Sequence, residues 1–182
     1  MGFHHVAVAT RDLAATHDFY TNVMGFELVK VVAAPTPGSK DGGWAKHVFY
    51  ETGSTGMIAF WELHDSRFEN YSTDLNKGIG LPEWVNHLAF NCDTIEEFDA
   101  ARDRWLAHGM VVPEVDHEFC RSIYGTDPNG IMVEFCHTVR AWTADDLAHA
   151  RAAMDLHAPD DTSEPHVTVH HPTRVAASAV GA

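Results

Sequence analysis

Residues 3–10 alternate in the manner of a half-buried strand, with Val6 and Val8 on one face and His5, Ala7 and Ala9 on the other. From Asp12 to Met24 the spacing changes. Leu13, Phe19, Tyr20 and Val23 make a loose helical face, and Gly25 stands where a helix C-cap belongs. Three more strands are predicted at 28–34, 46–51 and 57–63, broken by Pro35-Thr36-Pro37-Gly38 and Gly53-Ser54-Thr55-Gly56. The same order then returns. A strand at 84–91 leads into an amphipathic helix at 94–108 carrying Ile95, Phe98, Trp105 and Leu106. Asp93 or Thr94 can cap that helix, and Glu96 and Glu97 suit the positive end of its dipole. Strands at 111–115, 120–126 and 131–136 follow, the last two joined by the turn Asp127-Pro128-Asn129-Gly130.

The chain is therefore an internal repeat, strand-helix-strand-strand-strand twice over. His5 and His87 open the two units 82 positions apart, and each is followed by a helix-ending glycine, Gly25 after 20 residues and Gly109 after 22. The expected organisation is a first βαβββ module over 1–64, a linker over 65–83, a second module over 84–138, an appended helical segment over 139–157, and a loose tail over 158–182. The fold class is α+β.

Composition narrows the function classes. With 12 Lys+Arg against 26 Asp+Glu the net charge is −14, and the basic residues are scattered singly, so nucleic acid is not an expected partner. No run of 18 apolar residues exists to span a membrane, and the first residues lack the pattern of a signal peptide. Three cysteines without regular spacing (Cys92, Cys120, Cys136) suit a reducing, cytoplasmic setting with buried thiols. The 14 histidines are the unusual count.

Strand parity selects among them. His5 and His87 point away from the faces expected to pack on the helices. Glu134, with Met132 and Cys136, alternates against Ile131, Val133 and Phe135, which face the helix. Glu62 is read as grouped with Ile58 and Phe60 on the equivalent face of the first module. Carboxylates on apolar strands are costly unless paired or metal-bound. Two His and two Glu converging on one cavity would suit Fe, Mn, Ni, Co or Zn. Trp61 and Trp105 read as core, Cys136 as a small cavity-lining residue, His4 as facing the helix side, and His166, His170 and His171 as belonging to the tail.

The stretches FHHVAVATRDLAATHDFYTNVMGFEL, WVNHLAFNCDTIEEFDAARDRWLAHG and SIYGTDPNGIMVEF resemble the vicinal oxygen chelate superfamily. That group covers glyoxalase I, extradiol dioxygenases, methylmalonyl-CoA epimerase and the fosfomycin and bleomycin resistance proteins. The resemblance spans about residues 3–137. It implies paired βαβββ modules forming a U-shaped mixed sheet around one divalent metal ion, with His5, His87 and Glu134 as ligands. Glu62 falls where glyoxalase-like members have a fourth. Val115-Asp116-His117, then Ile123-Tyr124, Asp127-Pro128-Asn129-Gly130 and Glu134, match the spacing of extradiol dioxygenases. In those enzymes the corresponding His and Tyr sit beside a bound catechol and the metal is Fe(II).

The chain departs from that pattern just before the fourth strand. Gly53-Ser54-Thr55-Gly56 stands where such dioxygenases carry an acid–base histidine. His64, sharing parity with Glu62, is a further acid–base candidate. Three functions stay open on these residues: ring-cleaving dioxygenation of a catechol-like molecule, glyoxalase- or epimerase-type chemistry through a metal-bound enediolate with Glu62 as base, and non-catalytic binding of a small molecule. Proteins of this group often dimerise, so the resemblance allows a homodimer while the residues leave the oligomeric state open.

Overall fold

The computed structural model describes residues 2–53 and 56–172. Two sheets account for its strands. In the first, β1 (His5–Thr10), β2 (Glu27–Pro35), β3 (Trp44–Glu51) and β4 (Met57–His64) lie in the order β1-β4-β3-β2. In the second, β5 (His87–Asn91), β6 (Val112–Asp116), β7 (Cys120–Thr126), β8 (Met132–Thr138) and β9 (His166–His170) lie in the order β5-β8-β7-β6-β9. β1 runs parallel to β4, and β5 parallel to β8. Each βα crossover thus returns its unit's fourth strand to the side of its first, and the two modules share one topology.

The first helix begins as α1 (Leu13–Asp18), where Asp12 accepts from the Ala15 amide at 2.9 Å, and widens to a π turn over Phe19–Val23. Gly25 follows at φ +78°, as a helix-ending glycine should. The helix end is closed by the other module. Arg104, on α2 (Ile95–Ala107), donates to the carbonyls of Val23 and Met24, both at 2.8 Å. Those carbonyls have no partner within their own helix, and a cation at a helix C-terminus is favourable. α2 starts on a full capping box between Thr94 and Glu97.

One hydrophobic core spans both modules. Tyr20, Tyr50, Ile58 and Phe60 from the first join Phe98, Trp105, Ile123, Val133 and Phe135 from the second, and Phe26 bridges them with its ring 4.9 Å from Phe90. Polar contacts fix the same junction. The Tyr20 hydroxyl donates to Asp127 at 3.1 Å, and the Asn129 amide reaches Thr16 at 3.2 Å. The Asp127-Pro128-Asn129-Gly130 turn folds as its residues dictate, Asp127 accepting from the Asn129 and Ile131 amides at 2.8 Å each. The helix-covered faces of the two sheets therefore meet through this core, and each sheet keeps one face free of helices.

Several expectations are corrected. The strand predicted from residue 84 begins at His87, because residues 82–85 form a turn closed by the Val85 amide on the Pro82 carbonyl at 3.1 Å. The segment between the modules is held by specific contacts. Asn76 is 1% exposed and bonds the carbonyls of Glu83 and Asn86, while the Tyr71 hydroxyl donates to the Thr10 carbonyl at 2.9 Å. The tail is not uniformly loose either. His166–His170 pairs antiparallel with β6, and His170 meets the Glu114 carboxylate at 2.9 Å. Residues 173–182 lie outside the described residues. The appended helix is α3 (Ala144–Ala153).

Candidate metal and substrate site

On the free face of the second sheet the register brings the predicted residues together. His87 pairs with Met132 and Ala89 with Glu134, so His87 and Glu134 share that face, and Tyr124 lies opposite Glu134. Val133 and Phe135 take the other face, where Phe135 packs 5.4 Å from Trp105. His87 Nε2 is 3.1 Å from the Glu134 carboxylate, whose side chain is only 7% exposed. The other ring nitrogen, Nδ1, lies 3.0 Å from the Trp84 carbonyl. A carbonyl can only accept, so this contact places a proton on Nδ1, and Nε2 is the ring nitrogen that faces Glu134. An imidazole held through its far nitrogen beside a buried carboxylate is a donor arrangement suited to a divalent ion.

Tyr124 extends the group. Its ring lies 6.5 Å from that of His87, and its hydroxyl is 2.9 Å from His117 Nε2. Burial, with the nearby Glu134 charge adding to it, pushes the Tyr124 phenol up to about 12, so it stays protonated near neutral pH. Cys120, Ser122 and Cys136 line the same face, and burial likewise raises the Cys120 thiol to about 12, which makes it inert packing rather than a nucleophile.

The first sheet carries His5 at the matching place. His5 pairs with Met57 as His87 pairs with Met132. Two residues on, the counterpart of Glu134 is Ala59, and the counterpart of Tyr124 is Phe49. Around Ala59 stand His5, Phe49 and His47, with ring centroids 5.5 Å (His5–Phe49) and 6.1 Å (His5–His47) apart. His47 stacks on Trp61 at 3.8 Å, and burial together with the neighbouring His5 lowers its pKa. Trp61, expected in the core, is 38% exposed on this face. His47 was missed in the sequence, although the alternation of Lys46, Val48 and Tyr50 against His47 and Phe49 was there to be read.

Glu62 is not on that face. Ile58 and Phe60 turn toward the helix, Phe60 lying 4.6 Å from Tyr20, and Glu62 shares their side of β4 opposite Thr10. Its carboxylate is bonded by Lys46 at 2.9 Å and His64 at 2.7 Å. Burial pushes the Glu62 carboxyl up, but these two partners outweigh it and hold it below the usual range. His64 is in turn stacked on Trp44 at 4.0 Å. Glu62 and His64 thus form a separate cluster, beside a cleft of about 440 Å³ that Arg11 and Tyr71 also line. Nor does His5 reach His87 or Glu134. Among the described residues, no three His, Cys, Asp or Glu side chains stand close enough to hold a metal ion. A cleft of about 350 Å³, lined by Val6, Met57 and Ile58 and by His87 to Phe90, separates the edges of β1 and β5.

Tandem βαβββ modules of one shared topology, each opening on a His-bearing strand, are the architecture of glyoxalase-type folds. A family model described as the Glyoxalase/Bleomycin resistance protein/Dioxygenase superfamily matches residues 2–135, and the chain belongs to that superfamily. No curated protein matches the sequence. Among solved structures, a glyoxylase/bleomycin resistance protein/dioxygenase domain from Frankia sp. EAN1pec is 18% identical with a TM-score of 0.57, covering 78% of this chain and 95% of its own. The fosfomycin resistance protein FosX from Listeria monocytogenes is 21% identical (TM-score 0.49; 80% of this chain, 97% of its own). Lactoylglutathione lyase from Agrobacterium tumefaciens is 22% identical (TM-score 0.48; 75% and 92%). Identities this low speak to fold alone. Among the described residues, no helix is long and apolar enough to cross a membrane.

Proposed function

We propose that the protein is a divalent-metal-dependent enzyme, with Fe(II) the favoured ion, that opens the ring of a catechol-like small molecule in the extradiol manner. The observation that carries this reading is the free face of the second sheet, where His87 and Glu134 stand 3.1 Å apart beside the His117–Tyr124 pair at 2.9 Å. His87, Glu134 and His5 would make a two-His-one-carboxylate set, which suits Fe(II) and leaves positions open for a chelating diol and O₂. The ion, when bound, supplies a common anchor for both reactants. The protein's own groups do the rest. The Trp84 carbonyl keeps His87 in the ligating tautomer, and buried Glu134 supplies the negative charge. His117, hydrogen-bonded to the protonated Tyr124 phenol, is placed to orient a substrate hydroxyl by donating from its other ring nitrogen.

His5 supplies the third ligand from a second copy of the chain. In one copy it sits on the free face of the other sheet. That face also exposes Trp61 and Val32, and next to His87 the second module exposes Trp84 at 65%. Apolar surface flanking incomplete ligand sets on both modules suits an isologous dimer, in which each copy completes the other's site.

Enediolate chemistry with Glu62 as base is the weaker reading, because Lys46 and His64 hold Glu62 on the opposite face of its strand. The test is oxygen consumption by protein loaded anaerobically with Fe(II) and offered a panel of catechols. One O₂ should be consumed per catechol, with both oxygen atoms in the ring-opened product. Absence of uptake at full metal occupancy would contradict the proposal. Solvent deuterium appearing next to a substrate carbonyl would then point to the enediolate route, and tight binding of an unchanged compound to a non-catalytic role.

A further inference from the structure

The chain beyond the superfamily match reaches back to the turn that carries His117. That turn joins β6 to β7 and contains Glu118 at φ +71°, the one non-glycine residue with positive φ among the described residues. Non-glycine residues adopt this conformation at a cost and keep it where surrounding contacts over-determine it. Here the contacts come from residues 139–146. Arg140 donates to Glu118 Oε1 through Nε at 3.1 Å and through a terminal nitrogen at 2.9 Å, and that nitrogen reaches Oε2 at 3.1 Å. The same guanidinium donates to both Asp146 oxygens, at 2.7 and 3.0 Å. Asp146 is itself immobilised, since it completes the capping box of α3 with Thr143.

Two further contacts join the same segments. The Val139 amide donates to the Phe119 carbonyl at 2.9 Å, and the Trp142 ring lies 4.9 Å from that of Phe119. Within the turn, the His117 amide donates to the Cys120 carbonyl at 2.9 Å, and the Glu118 amide to Asp116 at 2.8 Å. An exposed ion pair contributes little alone. A planar guanidinium gripping two carboxylates is different, because its fork geometry fixes direction as well as distance.

We propose that Arg140 is a positioning residue: by clamping Glu118 between the turn and α3 it sets the His117 imidazole on the Tyr124 phenol, so that residues 139–146 belong to the working site. The clamp is a statement about His117 geometry. Its relevance to turnover rests on the extradiol reading, and the two fail separately.

The test reads the His117 imidazole by ¹⁵N NMR in the full-length protein. A phenol donating to Nε2 holds the ring as its Nδ1–H tautomer, and Tyr124→Phe gives the released reference spectrum. Arg140→Ala should shift His117 toward that reference, changing its tautomer ratio about fivefold for a hydrogen bond of ordinary net strength. Glu118→Gly should do the same while relaxing the backbone, and it carries the test should Arg140→Ala fold poorly. The unfolding midpoint should move by no more than a few degrees in Glu118→Gly. A His117 spectrum unchanged from wild type in the folded variants overturns the clamp. So does a wild-type spectrum that Tyr124→Phe leaves unaltered. If the clamp is confirmed but Fe(II)-loaded wild type consumes no oxygen, the extradiol reading alone falls.

Discussion

Tyr20→Phe tests the junction that sets how the two modules face. The phenol donates to Asp127 at 3.1 Å across the core, and its ring lies 4.6 Å from Phe60. Phenylalanine fills the same ring space, so no cavity opens and the loss is confined to the hydrogen bond. Bonds to a charged acceptor contribute about 1.5–3 kcal/mol. Asp127 retains donors from the Asn129 amide and side chain and from the Ile131 amide. The expected cost is therefore toward the lower end, about 1–2 kcal/mol at pH 7. With a urea slope of about 2 kcal/mol/M, the midpoint should fall by about 0.5–1 M.

The pH dependence sharpens the test. Burial raises the Asp127 carboxyl above its ordinary range, although the hydrogen bonds from Asn129, Ile131 and Tyr20 oppose that shift. A carboxyl whose folded-state pKa is raised contributes stability while protonated, and that contribution is lost as pH rises through the folded pKa. Removing the Tyr20 donor raises the pKa further. The penalty of the substitution, measured against wild type at each pH, should thus be larger at pH 7 than at about pH 4. Equal midpoints at pH 7, or a penalty that grows toward acid, would refute the reasoning.

Two further outcomes follow from the pairs around Glu114 and Glu62. Burial pushes the Glu114 carboxyl up, but Arg121, His170 and Arg102 outweigh it and hold it below the usual range. Its contribution is then present above the ordinary carboxylate pKa and fades as pH falls through the lowered one. His170→Ala should speed amide exchange in β9 about five- to tenfold while α2 stays protected, and unchanged exchange in β9 would show the pair to be idle. Glu62→Gln should leave bound metal at the wild-type level, whereas Glu134→Gln should lower it at least tenfold. Equal losses in an equilibrium dialysis measurement would return Glu62 to the ligand set.

The repeat, the sequence of elements along each module and the shared face of His87 and Glu134 are legible because alternation is clean there, whereas His117 and Tyr124 enter through the family resemblance alone. Val133 and Phe135 are apolar, and the residue between them is Glu134. β4 offers no such contrast. Met57, Ile58, Ala59, Phe60 and Trp61 are apolar in succession, so a parity argument has nothing to fix it. The structure decides the face by seating Ile58 and Phe60 on Tyr20, which carries Glu62 to the wrong side for a ligand. β9 was hidden for a different reason. His166-Val167-Thr168-Val169-His170 alternates as a strand does, but it becomes one only by pairing with β6, more than fifty residues earlier in the chain. The separation of His5 from His87 and Glu134 arises from how the modules pack, through Phe26, Arg104 and Tyr20, and no local pattern encodes that.

The proposed site joins His5 of one copy to His87 and Glu134 of another. Mixing His5→Ala and Glu134→Ala chains, unfolded and refolded together, tests it most directly by metal content after exhaustive dialysis. Each variant alone should retain little metal. The mixture should recover about a quarter of the wild-type amount, the yield for random pairing in which each mixed dimer holds one intact site of two. A mixture that binds no more than the variants apart would place the site within a single chain, or nowhere.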